Sequence, residues 1–252
     1  MKNKIALAFA GIATLAVTAF AAPAKAEVQF GTSHDTQCAA GNTASACSLQ
    51  SLLNHYTVNG PQVNTAQDTG YELFRNNGNS ATSSFLFSIA GFAPHNTFGL
   101  YKSTDPNTKI QLFGGGTTGG SESLVKFLGN GSVQVGNNTV NNFGTDFGFY
   151  LSGPGGTFFS QKGLNGGNQQ SVIYKGNGAK FNVGGKTIDF DPSKYLIAFE
   201  DVKFGQSDKD YNDFVAVISG VRHAHDVPEP ALMLGMATVV GGAIVSRRRK
   251  HS

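Results

Sequence analysis

Short apolar runs separated by turn residues repeat along most of the chain. From residue 84 to residue 89, apolar side chains alternate with serine, so Phe85, Phe87 and Ile89 are predicted on one face of a strand and Leu86 on the other. Similar runs, divided by Gly, Asn and Pro, cover residues 97–101, 109–113, 121–128, 132–135, 147–151, 157–160, 171–174, 195–199 and 214–218, with 72–74 as a further edge strand. Strands of this number and spacing predict an all-β fold, a two-sheet β-sandwich or jelly roll.

One segment has the periodicity of a helix instead. Leu49, Leu52, Leu53 and Tyr56 follow the spacing i, i+3, i+4 and i+7, and Ser48 precedes them in the position of an N-cap. The pattern predicts a short amphipathic helix near the N-terminus of the folded body.

The first residues have the three parts of a secretory signal peptide. Lys2 and Lys4 precede the apolar residues 5–22, and Ala24-Lys25-Ala26 provides a cleavage site of small residues. Residues 1–26 are therefore predicted to be removed during export, and the mature chain is predicted to begin at Glu27.

A second apolar segment lies at the other end. Pro228, Glu229 and Pro230 precede the apolar residues 231–245, and a stop-transfer cluster follows, consisting of Arg247, Arg248, Arg249 and Lys250. A helix of this apolar run spans about 22 Å, less than a bilayer core of about 30 Å. A removable sorting helix fits this order of parts, and a permanent weak anchor is the alternative.

These signals divide the chain into four parts. They are the signal peptide 1–26, an N-terminal segment 27–60 with the short helix, the β-sandwich 61–222, and a linker with the sorting tail, 223–252. The formal charge of +3 arises at the ends, because residues 27–227 carry 12 Lys and Arg against 15 Asp and Glu. The body has no basic excess that would suit nucleic acid.

Export also changes how the two cysteines are interpreted. Cys38 and Cys47 are close in sequence and would meet an oxidising compartment. A disulfide closing a loop of about ten residues is predicted, with a contribution of roughly 2 to 3 kcal/mol on the chain-entropy model. Two free thiols are the alternative.

The strongest candidate for chemistry lies between the last two long apolar runs. Acidic and amide side chains crowd this stretch, namely Glu200, Asp201, Asp208, Asp210, Asn212 and Asp213. Ca²⁺ takes six to eight oxygen ligands of this kind, so the stretch predicts a structural Ca²⁺ site. The alternative is a solvated loop whose acids cap backbone N–H groups.

The spacing of these acids limits what the site can be. An EF-hand is excluded, because Asp213 stands where that loop needs Gly and Ser219 where it needs Glu. Because side chains alternate along a strand, Glu200 and Asp201 should point to opposite faces, and only one of them should join the ion. The pattern alone does not choose between the two.

The tail resembles a known sorting signal. Pro228-Glu229-Pro230, the apolar span and the Arg cluster are similar to the C-terminal signal of PEP-CTERM proteins. The resemblance implies processing by an exosortase-type enzyme, transient residence in the inner membrane, and a final location in the envelope, outer surface or extracellular matrix of a Gram-negative bacterium that makes extracellular polysaccharide.

The body resembles a domain of unknown function that is common in such proteins. The resemblance rests on Phe98-Gly99-Leu100-Tyr101, Phe147-Gly148-Phe149-Tyr150-Leu151, Phe199-Glu200-Asp201 and Asp208-Lys209-Asp210-Tyr211-Asn212-Asp213. It implies a secreted β-domain without an established activity.

Three functions are compatible with these features. The first is a non-enzymatic surface or matrix protein, associated with exopolysaccharide or a biofilm and stabilised by calcium. The second is a glycan-binding module, for which the chain offers no Trp but could use Tyr150, Tyr174 and Tyr211. The third is a glycoside hydrolase built on Glu200 and a later Asp.

The enzyme alternative has little further support in the sequence. The chain contains neither Gly-x-Ser-x-Gly nor His-Glu-x-x-His. His223 and His225 are predicted to lie in the linker, where they would have no scaffold. The prediction is therefore a protein without catalytic residues.

Overall fold

The computed structural model describes residues 28, 30–31, 47–88 and 91–224. The predicted signal peptide, Cys38 and the whole sorting tail lie outside these residues. Within the described part of the chain, no helix combines the length and the apolar character needed to cross a membrane.

The described residues form one α-helix and a series of antiparallel strands. The elements are α1 Leu49–Tyr56, β1 Thr57–Asn59, β2 Phe74–Asn76, β3 Ser80–Phe87, β4 Thr97–Lys102, β5 Asp105–Phe113, β6 Glu122–Phe127, β7 Val133–Val135, β8 Asn138–Val140, β9 Asp146–Gly153, β10 Gly156–Phe159, β11 Ser171–Lys175, β12 Ala179–Val183, β13 Lys186–Phe190, β14 Tyr195–Phe199, β15 Phe214–Ser219 and β16 Val221–His223. The predicted all-β class is confirmed, with the one predicted helix.

The strands form three sheets. The central sheet has seven strands in the order β11-β14-β15-β3-β6-β7-β8. The outer sheet has six, in the order β16-β2-β9-β4-β5 with β10 paired to β9, and the small sheet has three, in the order β1-β12-β13. The first core lies between the central and outer sheets, and the second core lies between the central sheet, the small sheet and α1. The sequence predicted two sheets, whereas the described residues form three.

The position of the central sheet explains why two of its strands are uninterrupted apolar runs. Ile197 and Phe199 of β14 enter the first core, whereas Leu196 and Ala198 enter the second. A strand covered on both faces has no solvent face to require polar residues. In contrast, β12 alternates strictly between buried and exposed positions, because its outward face is solvated.

The predicted faces of β3 are wrong at one point. Phe85 lies in the first core, but both Leu86 and Phe87 lie in the second. The pairing with β15 shifts here, since Phe85 and Phe87 face the consecutive residues Ala216 and Val215. This β-bulge adds one residue to β3 and reverses the side of Phe87.

The N-terminal helix is confirmed and lies against the second core. The Ser48 hydroxyl accepts the Ser51 N–H at 3.2 Å, as expected of an N-cap. Leu49, Leu52 and Leu53 are buried in the second core. The helix therefore contributes its apolar face to the second core, next to β1 and β12 of the small sheet.

One predicted boundary is wrong. His223 does not lie in a linker: it belongs to β16, pairs with Phe74, and stacks on Tyr71 with ring centroids 3.9 Å apart. The sheet therefore continues to residue 223, and His225 lies outside the described residues.

Candidate metal centre

Residues 200–213 form the acidic loop, which connects β14 to β15. Its two ends meet, because Phe199 and Phe214 are direct cross-strand partners. Both phenylalanines lie in the first core, so the ends of the loop are fixed by apolar packing. The polar residues between them are held over the end of the central sheet.

Three carboxylates of the loop converge, and we call them the carboxylate cluster. Glu200, Asp208 and Asp210 each provide an oxygen atom, and these atoms lie within 4.8 Å of one another. Glu200 and Asp210 are only 0% and 1% exposed, whereas Asp208 is open to solvent. The cluster is thus a buried pair of carboxylates with one accessible member.

Backbone and side-chain donors fix the orientation of Glu200. Its Oε1 accepts the backbone N–H of Tyr211 at 2.5 Å, and its Oε2 accepts the hydroxyl of Ser207. Both donors belong to the acidic loop. The loop is therefore folded around the Glu200 carboxylate at the end of β14.

Asp210 is held by Asn212. The Asn212 backbone N–H donates to Asp210 Oδ1 at 3.2 Å, and its Nδ2 donates to Oδ2 at 2.6 Å. The same Nδ2 also donates to the Cys47 carbonyl oxygen at 2.6 Å. Asn212, predicted as a ligand, thus uses its side-chain nitrogen to position a carboxylate.

Asp201 and Asp213 form a separate pair. Asp213 Oδ2 accepts the Asp201 backbone N–H at 2.8 Å, and Asp201 Oδ2 accepts Asn96 Nδ2 at 2.7 Å. Asn96 immediately precedes β4 of the outer sheet. Strand alternation accounts for this division: Glu200 turns to the side of the second core and Asp201 to the side of the outer sheet.

The convergence of Asp208 and Asp210 depends on unusual backbone angles. Lys209 and Tyr211 have φ values of 59° and 54°, in the left-handed region that side chains disfavour by about 1 kcal/mol or more. The backbone of the loop is therefore not extended at these two residues. Tyr211 is held in place by complete burial and by its hydroxyl, which donates to the Gln169 carbonyl at 3.0 Å.

Burial and mutual repulsion raise the pKa values of these acids. For Asp210, burial and the charges of Asp208 and Glu200 raise the pKa to about 8. For Asp213, burial and the charges of Glu200, Asp201 and Asp210 raise it to about 9. Burial also raises the pKa values of Glu200 and Asp201. The acids therefore disfavour their charged forms unless protons or a cation neutralise them.

Within the described residues, no salt bridge joins a basic side chain to Glu200, Asp210 or Asp213. The salt bridges there join Arg75 to Asp146, Lys180 to Asp189, and Lys194 to Asp191. Lys209, although it belongs to the loop, lies over the ring of Phe204 at 4.4 Å. The chemistry that fits is that of a hard cation bound by oxygen.

Sequence reasoning missed three groups that shape this region. Ser207 lies inside the acidic stretch and could have been included for its hydroxyl. Asn96 and Cys47 are 105 and 165 residues away from their partners in the loop. Contacts of that range leave no local pattern in a single sequence.

The comparisons with known proteins give one match. A family model described as domain of unknown function (DUF4114) matches residues 117–220. The matched range contains the acidic loop and the strands on both sides of it, but not α1. No curated protein and no solved structure matches the chain. The match supports a domain of unknown function over residues 117–220. The more specific resemblance from Phe98 to Asp213 and the resemblance of the tail to the PEP-CTERM signal stay predictions.

Proposed function

We propose that the acidic loop binds one Ca²⁺ with a structural role, in an exported, non-enzymatic protein of the cell surface or extracellular matrix. The observation that carries the calcium proposal is the convergence of Glu200, Asp208 and Asp210 within 4.8 Å. Ionised carboxylates at this separation, two of them buried, repel one another strongly unless protons or a cation neutralise them.

The donor atoms suit calcium among the common cations. Ca²⁺ prefers carboxylate and carbonyl oxygens in a flexible arrangement of six to eight ligands. Each carboxylate of the cluster can offer two oxygens, and Asp208 is exposed, which leaves a route for the ion and for water ligands. The cluster contains none of the His or Cys ligands typical of zinc.

The position of the cluster defines what the ion would do. Glu200 directly follows β14, and Asp208 and Asp210 approach β15 from the other end of the loop. An ion bound by all three would fasten the ends of two neighbouring strands of the central sheet. Binding to the folded state alone adds about 2.7 kcal/mol at a hundredfold excess of ion over Kd.

Thermal unfolding of the full chain in millimolar Ca²⁺ and in chelator tests this proposal. The melting temperature should rise with calcium in the parent protein, and Asp210→Asn should remove most of that rise. Asp189→Asn is the matched control, because Asp189 is exposed on β13, and it should keep the full response. A parent protein whose melting temperature ignores calcium would contradict the proposal.

The structure offers no support for the other two functions. Tyr150, Tyr174 and Tyr211, which the glycan-binding alternative needs on the surface, are 6%, 2% and 0% exposed. Glu200, which the hydrolase alternative needs beside a substrate, is fully buried under its own loop. A catalytic role for Glu200 would require the acidic loop to open, because Ser207 and Tyr211 of that loop donate to its carboxylate.

The proposed location rests on the two ends of the sequence. An exosortase-type enzyme would process the tail while residues 231–245 lie in the inner membrane, and extracellular polysaccharide is proposed as a further partner. Intact-mass analysis of the protein from its native envelope should find a chain that begins at Glu27 and lacks the residues beyond about Pro230. Recovery of a chain ending at Ser252 would leave a plain membrane anchor instead.

A further inference from the structure

The N-terminal residues of the body lie against the acidic loop. The Gly31 N–H donates to the Lys209 carbonyl at 3.1 Å. The Phe30 ring meets the Tyr211 ring edge to face, with centroids 5.7 Å apart. Val28 and Phe30 also pack against the second core. We call Val28, Phe30, Gly31 and Cys47 the N-terminal clasp.

The contact at Gly31 is a close approach between two backbones. A Cβ atom at this position would lie 1.8 Å from the carbonyl oxygen of Asp208 and 2.9 Å from its carbonyl carbon. These are backbone atoms, so they cannot turn aside as a flexible side chain would. Only glycine lets the clasp lie this close to Asp208.

Cys47 makes a further contact between the clasp and the acidic loop. Its carbonyl oxygen accepts Asn212 Nδ2, which also donates to Asp210 Oδ2. One amide therefore links the N-terminal segment to a carboxylate of the cluster. The clasp reaches Asp208 through Gly31 and Asp210 through Asn212.

The clasp touches both residues of the acidic loop that have left-handed backbone angles. Lys209 receives the hydrogen bond from Gly31, and Tyr211 receives the ring of Phe30. Contacts at these residues offset the cost of their conformation, which in turn places Asp208 and Asp210 beside Glu200. Without the clasp, the loop would lose part of what keeps its carboxylates together.

We infer that the N-terminal clasp positions the acidic loop for its cation, and that docking of the clasp and binding of the cation strengthen each other. The second half of this inference rests on the proposed function. The two effects are thermodynamically linked. If the docked clasp increases the affinity for the ion, the bound ion must favour the docked clasp by the same factor.

Calcium titration of the full chain by calorimetry measures the first effect. Gly31→Ala should weaken calcium binding about tenfold, because the added methyl group moves the clasp away from Asp208. Gly205→Ala is the matched control: it lies in the same loop, at a glycine with open space and no positive φ, and should change Kd less than twofold.

Hydrogen exchange measures the reciprocal effect. Saturating Ca²⁺ should slow exchange of the Gly31 amide, which donates to Lys209, by a factor similar to the loss of affinity in Gly31→Ala. Phe30→Ala is a second variant that removes the ring contact with Tyr211 without adding bulk, and Phe92→Ala, at a partly exposed phenylalanine, is its control. Phe30→Ala should weaken binding in the same direction.

The outcomes separate this inference from the proposed function. If the parent binds calcium and neither clasp variant changes Kd, the inference is wrong and the calcium proposal stands. If the parent binds no calcium, the calcium proposal and the linkage both fail. Exchange of the Tyr211 amide, which donates to Glu200, then decides the positioning role: faster exchange in Gly31→Ala supports it, and unchanged exchange overturns it.

Discussion

Two connections between neighbouring antiparallel strands differ sharply in this molecule. Gly184 and Gly185 alone join β12 to β13, and the acidic loop of residues 200–213 joins β14 to β15. Both strand pairs have an unbroken register over five positions. A two-residue turn is therefore sufficient for such a pair in this fold, and strand pairing does not account for the length of the acidic loop.

The two connections also differ in the free energy that their conformations cost. Gly184 and Gly185 have φ values of 58° and 76°, as in a type I′ turn, which glycine adopts freely. The acidic loop buries carboxylates and places Lys209 and Tyr211 in the same region of φ without that freedom. In the calcium proposal, the bound ion offsets the free energy that this conformation costs.

The largest expected effect tests whether apolar packing, not the connection, holds β14 to β15. The ring centroid of Phe214 lies 4.4 Å from that of Phe98 and 5.2 Å from that of Phe85. Phe214→Ala should cost about 3 to 5 kcal/mol of unfolding free energy, with or without calcium. Urea unfolding measures it, with the partly exposed Phe92→Ala as control, for which about 0.5 kcal/mol or less is expected. A loss seen only in the presence of calcium would mean that the ion holds this end of the strands.

The second prediction concerns the short turn. At position 185 an added Cβ meets open space, so Gly185→Ala should cost only the left-handed penalty of about 1 to 2 kcal/mol. At position 184 the Cβ would also lie 2.2 Å from the Gly119 carbonyl oxygen, so Gly184→Ala should cost about 2 to 3 kcal/mol. Chemical denaturation of the two variants gives the loss of unfolding free energy for each. Equal losses would show that the neighbouring 114–120 segment moves aside freely.

The same turn shows where sequence reasoning reached its limit for the fold. β14 was predictable at its observed bounds, because burial on both faces makes it an unbroken apolar run. The hairpin of β12 and β13 was missed, although Gly-Gly between two alternating segments is a recognisable signal. Strands of three residues, such as β1, are too short to show a period. Because β1, β12 and β13 make up the small sheet, the third layer was missed with them.

For the candidate site, the sequence showed the acidic composition of the stretch but not the three-dimensional arrangement of its acids. The crowding of acids between two apolar runs identified the stretch in which three carboxylates converge. Which acids converge depends on the left-handed angles of Lys209 and Tyr211 and on partners as distant as Asn96 and Cys47. Alternation correctly separated Glu200 from Asp201, but it could not say which of them would meet Asp208.

The smallest expected effect concerns Asp68, a buried acid that supports the acidic loop and has no equivalent at the short turn. Asp68 Oδ2 accepts Gln169 Nε2 at 2.9 Å, and the carbonyl of Gln169 accepts the Tyr211 hydroxyl. Asp68 Oδ1 accepts the Ile173 N–H at 2.8 Å. Burial raises the pKa of Asp68, although these hydrogen bonds oppose part of the rise.

The direction of the pH dependence follows from this raised pKa. A folded state that holds the Asp68 proton more tightly than the unfolded state gains stability that is fully present below the ordinary aspartate pKa. That stability is lost as the pH rises through the raised value. Asp68→Asn cannot titrate, and it should cost on the order of 1 kcal/mol for an impaired hydrogen bond. The parent's advantage in unfolding free energy over the variant should therefore be greatest in acid and shrink toward neutral pH.

Urea unfolding of both proteins at several pH values measures this difference. The acidic loop titrates in both proteins, so its contribution cancels in the difference. Exposed Asp189→Asn serves as control, and a parent advantage that stays constant with pH would reduce Asp68 to a simple hydrogen-bond acceptor.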